Sequence, residues 1–212
     1  MSSQANSHFD DKAREWDANP LFRERAEKIA EAIRAEVALT ASMSALDYGS
    51  GTGLLSFPLR HELGHITLQD SSTGMLAVLR EKIASEGVSN MTVRQADLSQ
   101  GALPDERYDL IYSSMTLHHI PDTGAILRAF HGLLRPGGTL CIADLDKEDG
   151  SFHGPGFDVH PGFDRAELAA LCAETGFTGG RFRTVFEIVK AQPDGERAYP
   201  VFMLTATRAS GG

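Results

Sequence analysis

The stretch ALDYGSGTGLL, residues 45–55, decides the fold. Met43, Ala45 and Leu46 lead into Asp47, glycines stand at 49, 51 and 53, and Leu54 and Leu55 open a new apolar run. This pattern predicts a buried strand, a tight turn and the first turn of a helix. Alternate glycines let the backbone take positive φ and let a ligand approach where no Cβ stands in the way. The first N–H groups of the following helix lack intrahelical partners and stay available to that ligand. Counted from Gly49, the third glycine falls at Gly53, one position early for the G-x-G-x-x-G pyrophosphate fingerprint, and Leu54 occupies its place. A carboxylate at Asp47 repels a phosphate and suits an ammonium. The loop therefore favours a ligand with an amino-acid end over a dinucleotide.

The 212 residues, 42% of them hydrophobic, suit one α/β domain with a full core. No run approaches the roughly 18 apolar residues of a membrane span, and the start MSSQANSHFDD lacks the charged and apolar regions of a secretory signal. The expectation is a cytoplasmic protein without a membrane partner. A net charge of −9 and the lack of a long basic run argue against nucleic acid as a partner. Cys141, in an expected strand, and Cys172, on the apolar face of an expected helix, read as small core residues.

Along the chain, residues 1–8 are expected to form a disordered leader. Helices are expected over 9–38, broken at Asn19-Pro20, with Phe9, Ala13 and Trp16 on one face of the first. The helix expected over 54–63 contains Pro58 and should kink or start late. HITLQD reads as a second strand ending in Asp70, followed by a helix that serines can cap and Gly87 closes. Asp70 lies 17 residues past Gly53, near the roughly 20 expected of an acid that grips ribose hydroxyls. MTVRQADL is a third strand with Asp97 at its end, and YDLIY a fourth, with a turn-rich connection too short for a full helix between them. Asp122 caps the next helix, and Arg135-Pro136-Gly137-Gly138 turns into a fifth strand, TLCIADL. Residues 147–163 form a long loop rich in glycine, proline and histidine. A further helix and a hairpin about residues 193–195 end the chain.

With D-x-G-x-G-x-G matched by Asp47, Gly49, Gly51 and Gly53, and with LHHIPD and LRPGGTL further on, the sequence resembles the class I S-adenosylmethionine-dependent methyltransferases. It is similar to the ubiquinone and menaquinone biosynthesis enzymes among them. The resemblance implies a single methyltransferase domain with a Rossmann-like seven-stranded sheet over 43–209. Its strand order would be 3-2-1-4-5-7-6, with strand 7 antiparallel, helices on both faces and an N-terminal helical lid. It implies S-adenosylmethionine as cofactor, with Asp47 and the three glycines at its amino-acid end and Asp70 on the ribose. Ser71, Met75, Asp97, Leu98 and Ser113 would line the rest of the crevice, under a lid carrying Trp16.

Methyl transfer from a sulfonium is an in-line displacement in which the protein positions the acceptor and excludes water. Where the acceptor carries a proton, a histidine is the natural base, and His118 and His119 follow the fourth strand directly. His153 and His160, on the long loop, are further candidates. A metal site from Asp144, Asp146, His153 and His160 matches no compact ligand spacing, so no metal is expected. Ser113-Ser114-Met115-Thr116 lacks the Asn/Asp-Pro-Pro-aromatic signature that grips planar amines. The expected acceptor is a small molecule, neutral or cationic, bound by a monomer or homodimer. The alternatives are a non-catalytic S-adenosylmethionine sensor and a nicotinamide-dependent oxidoreductase.

Overall fold

The computed structural model describes residues 3–98, 103–153, 159–193 and 195–210. Its sheet contains β1 (Ser44–Tyr48), β2 (His65–Asp70), β3 (Met91–Gln95), β4 (Tyr108–Ser114), β5 (Leu134–Leu145), β6 (Phe177–Gln192) and β7 (Gly195–Arg208). The order is β3-β2-β1-β4-β5-β7-β6. β1 to β5 run parallel, and β7 runs antiparallel to both β5 and β6. This is the order and direction expected from the sequence.

Helices α1 (Ser3–Trp16), α2 (Pro20–Glu36), α3 (Ser56–Leu59), α4 (Thr73–Ser85), α5 (Thr123–Leu133) and α6 (Arg165–Glu174) complete the fold. Neighbouring strand residues point to opposite faces of the sheet. Ala45 accordingly joins a cluster with Ile29 and Ile33 of α2 and Leu76 and Leu79 of α4, while Leu46 joins one with Ile126 and Phe130 of α5 and Leu168 of α6. Helices thus cover both faces. Cys141 and Cys172 lie in these two clusters, on opposite sides of the sheet, and burial pushes each thiol up to about 12.

Three local details set the loops. Asn19 caps α2 by accepting from the Leu21 amide, with Pro20 at the first helical position, where its missing N–H costs nothing. α1 begins at Ser3, so it takes in residues 3–8 of the expected leader, whose first two residues lie outside the described ones. Once the docked turns of α1 are formed, adding residues at the end costs little, and Gln4 and Ala5 are good helix formers. α3 is only four residues long, against the longer helix expected over 54–63. Pro58 has no amide for the Leu54 carbonyl, so the regular bonding starts late, and beyond the helix the carbonyls of Arg60 and Leu63 are taken by Asn90 Nδ2 at 2.8 and 3.0 Å.

Strand order reverses between β1 and β4. In open α/β sheets the crevice at the carboxyl ends of such strands is where ligands sit.

Candidate active site

The glycine loop stands at that crevice. Gly49, Gly51 and Gly53 all have positive φ, at 72°, 52° and 80°. A Cβ on Gly49 would collide with the Thr116 side chain, and one on Gly53 would lie 2.7 Å from Leu79 Cδ1. A Cβ on Gly51 would meet only Met75 Sδ, at 3.9 Å. Two of the glycines therefore serve packing, and the middle one faces open space. The Gly49 and Ser50 amides donate to Gln69 O at 2.8 and 3.1 Å, fastening the loop to the end of β2. Ser50 Oγ is buried and has no hydrogen-bond partner among the described residues, an unusual cost unless a ligand meets it. An orphaned hydroxyl beside an open glycine fits the polar end of S-adenosylmethionine.

Asp47, 2% exposed, accepts from Ser56 Oγ at 2.6 Å. Burial pushes its carboxyl up to about 7, the Ser56 bond partly opposing and the nearby Asp70 charge adding to the effect. Asp70 closes the loop from the other side, its carboxylate accepting from the Gly51 amide at 2.8 Å and the Ser72 amide at 2.9 Å. Burial raises this carboxyl too, against those amide bonds. Asp70 is thus a clasp between β2 and the glycine loop.

The other expected crevice residues fall on the same rim. Met75 is buried beside Gly51. Ser71 follows Asp70, and its carbonyl accepts from Gln95 Nε2. Asp97 accepts from Tyr48 Oη at 3.4 Å, and Leu98 packs on the cluster that includes Tyr48. Ser113 Oγ donates to Tyr48 O at 2.8 Å, joining the ends of β1 and β4.

α1 packs against α4 and is held there by two aspartates. Asp10 Oδ1 accepts from Ser72 Oγ at 2.5 Å and from the Gly74 amide at 2.8 Å. Asp17 accepts from Thr52 Oγ1 in the glycine loop and pairs with Lys82 Nζ at 2.6 Å. Between them, Trp16 stacks on Phe22 at 4.5 Å and meets Phe9 at 5.9 Å, and Phe9 stands against His119 at 5.4 Å. A surface groove of about 600 Å³ lies elsewhere, between α2, α3 and α4, lined by charged residues such as Glu27, Arg34 and Lys82.

The histidines lie beyond Phe9. Leu117–His119 form a 3-10 turn after β4. His118 is 1% exposed, and its Nδ1 meets Asp144 Oδ1, at the end of β5, at 2.6 Å. Burial penalises the Asp144 charge, but the charge and hydrogen bonds of His118, with the Leu145 amide, outweigh this and hold the carboxyl below its ordinary value. Arg25, lying over Phe22, adds an attractive charge to Asp144, and burial lowers that guanidinium to about 10. His119 and His153 complete the group, with ring centroids 4.1 and 5.0 Å from His118 and 5.4 Å from each other.

The acid and imidazole set weighed from sequence is not assembled. Asp146 makes two bonds to Arg165, at 2.7 and 2.6 Å, and His160 Nε2 meets Ile120 O at 2.9 Å. Of that set, only His153 joins the imidazole cluster, with Asp144 behind it. Sequence reading missed Asp10, Asp17 and the orienting role of Asp144. The FDD and WD pairs in the aromatic, acidic first helix were the available signal for the first two.

The sequence model of the family described as "Methyltransferase domain" matches residues 39–201. The ubiquinone/menaquinone biosynthesis C-methyltransferase UbiE of Shewanella woodyi is 28% identical over 158 residues, which are 73% of this chain and 62% of that one. The chain thus aligns with about three fifths of the length of such relatives. Among solved structures, a chain of the complex between the Haloferax volcanii Trm112 methyltransferase activator and its methyltransferase superposes with a TM-score of 0.76. The identity is 18%, and the match covers 95% of this chain and 97% of that one. A Haemonchus contortus phosphoethanolamine N-methyltransferase 2 in complex with S-adenosyl-L-methionine gives a TM-score of 0.70 at 16% identity, covering 95% and 60%. With its motif loop at the switch point of a 3-2-1-4-5-7-6 sheet, the chain belongs to the class I S-adenosylmethionine-dependent methyltransferase family.

Proposed function

We propose that this protein transfers a methyl group from S-adenosylmethionine to a small-molecule acceptor held against the imidazoles that follow β4. The observation that carries the reading is the buried His118–Asp144 pair after β4, whose ring neighbour His119 meets Phe9 of α1. When bound, the cofactor supplies the activated methyl group and its own leaving group, S-adenosylhomocysteine. Ser50 and the open face of Gly51 would receive its amino-acid end, Asp70 its ribose, and Asp97 with Leu98 its adenine. α1 covers the crevice and keeps water from the reacting atoms.

For an acceptor X–H, the new bond forms from X to the methyl carbon as the carbon–sulfur bond breaks, and the proton on X must leave. Asp144 fixes His118 with Nδ1 toward the carboxylate, which turns Nε2 to the opposite side of the ring to take that proton. The dyad needs no rearrangement during the step.

The test is incubation of the full chain with methyl-labelled cofactor and pooled small metabolites. Labelled small products that depend on His118 are the expected result. Cofactor binding without any turnover would leave a sensor, and label entering tRNA or DNA at comparable rates would overturn the small-molecule reading.

A further inference from the structure

We infer that His118, His119 and His153 form a binding site for a divalent transition-metal ion of the zinc class. One candidate nitrogen from each imidazole lies within 4.8 Å of the other two. Nitrogens on one tetrahedral zinc stand about 3.4 Å apart, so the donor nitrogens need to converge by at most about 1.4 Å, largely by turning the rings. Imidazoles sharing such an ion have ring centroids about 5 Å apart. The His118–His153 and His119–His153 separations, 5.0 and 5.4 Å, already match. Only the His118–His119 pair, at 4.1 Å, must open.

The surroundings of the cluster are those of a ligand set. A histidine that binds a metal through one nitrogen characteristically gives the other N–H to a carboxylate, which fixes the tautomer and raises the basicity of the donor. Asp144 does this for His118 at 2.6 Å, with both residues buried. The carboxylate is itself held by the Leu145 and His118 amides, at 2.8 and 3.3 Å, so it cannot swing away. The ligands come from two segments that the sheet places side by side, the turn after β4 and the chain beyond β5. An all-imidazole set suits zinc, copper, nickel or iron(II) and not magnesium or calcium, which take oxygen donors.

Three protein ligands leave a position open on a tetrahedral ion. The cluster adjoins the proposed acceptor site, so that position suits an oxygen or sulfur atom of the acceptor, whose proton the ion makes easier to lose to solvent; in that state His118 is a ligand, and its role as base belongs to the metal-free protein. The inference rests on the proposed function for this last step alone. Binding of the ion itself does not depend on methyl transfer.

The test uses the full chain, stripped with a chelator and titrated with Co2+ as a visible probe for zinc. The expected result is one equivalent bound with the intense visible absorption of a four-coordinate ion, displaced by Zn2+. His119→Ala and His153→Ala should each weaken Co2+ binding at least about tenfold, and Asp144→Asn by about tenfold through His118. His153→Gln, which keeps the size of the side chain, should lose binding like the alanine variant. Calorimetry with S-adenosylhomocysteine on the same variants should stay unchanged and show that the fold is intact. Failure of wild-type protein to bind S-adenosylhomocysteine would count against the proposed function and leave the metal result to be read alone. Weak six-coordinate absorption in the wild type, or unchanged Co2+ affinity in both His119→Ala and His153→Ala, would overturn the metal site.

Discussion

Asp10 and Gly74 hold α1 onto α4: the carboxylate accepts the Gly74 amide at 2.8 Å, and a Cβ on Gly74 would lie 2.7 Å from Asp10 Cα. The contact places a negative charge at the N-terminal turn of α4, where the helix leaves amides unpaired. The Ser72 bond and the Gly74 amide lower the Asp10 carboxyl from its ordinary value. It also brings Phe9 to His119 and spans the crevice. The seat of α1 on α4 is therefore a glycine, and the proposed lid role of α1 depends on it.

Gly74→Ala should push α1 off α4 while leaving the sheet intact. Trp16, the only tryptophan, reports this directly, because it lies in α1 and stacks on Phe22. The variant's emission should resemble that of exposed indole, and S-adenosylhomocysteine should bind several-fold more weakly. Saturating S-adenosylhomocysteine should restore part of the wild-type emission, because a ligand that contacts the closed lid must favour it. Unchanged emission and affinity would make α1 a static support.

Asp47 predicts the pH dependence of stability. Its folded carboxyl is raised from 3.8 to about 7 by burial, so the folded state holds this proton more tightly than the unfolded chain does. Stability must then fall as pH rises through that window and level off above it, by up to about 1.4 kcal/mol per pH unit. Urea unfolding between about pH 5 and about pH 8 should show the loss in the wild type and a flatter profile in Asp47→Asn. Parallel profiles would place the titrating group elsewhere.

Much of the fold was legible because its signals are local. β2 ends at Asp70 and Asp122 caps α5 as the pattern required, and Gly49, Gly51 and Gly53 need the positive φ that only glycine adopts easily. The histidine cluster was not legible, because His153 joins His118 only through the pairing of β4 with β5 and the path of the chain beyond it. Periodicity carries no such tertiary information. Net charge is likewise silent on local arrangement: in a chain at −9, Arg25 and Lys190 lie close enough to each other to repel, and Arg25 is drawn to Asp144.

His118 and Asp144 should separate chemistry from binding. With chelator-treated protein, His118→Ala should lower turnover of a proton-bearing acceptor by about a hundredfold. Asp144→Asn keeps the shape but offers the ring a different partner, and should lower kcat by about tenfold through misorientation. Neither change touches the glycine loop, so S-adenosylhomocysteine affinity should hold in both. Wild-type kcat in His118→Ala would remove the imidazole from the proton path.

Gly49 and Gly51 offer the sharpest contrast, because they share a loop and a positive φ but differ in what a side chain would meet. Alanine at either position pays about 1 to 2 kcal/mol for the left-handed backbone. At Gly49 the new methyl also enters the space of Thr116, whose hydroxyl bonds to Ser114 O at 3.0 Å and whose side chain is buried, so overpacking adds about 1 to 3 kcal/mol. At Gly51 it meets only Met75 Sδ at 3.9 Å, so no packing clash adds to the backbone strain. What it fills is the space beside Ser50 Oγ that the proposed function gives to the cofactor. Gly51→Ala should therefore lose in urea only the about 1 to 2 kcal/mol of backbone strain yet lose S-adenosylhomocysteine binding at least tenfold, whereas Gly49→Ala should lose the overpacking energy as well as binding. Gly51→Ala that binds normally would show that the cofactor does not approach the loop at its one uncrowded glycine, and would move the amino-acid end of the ligand away from Ser50.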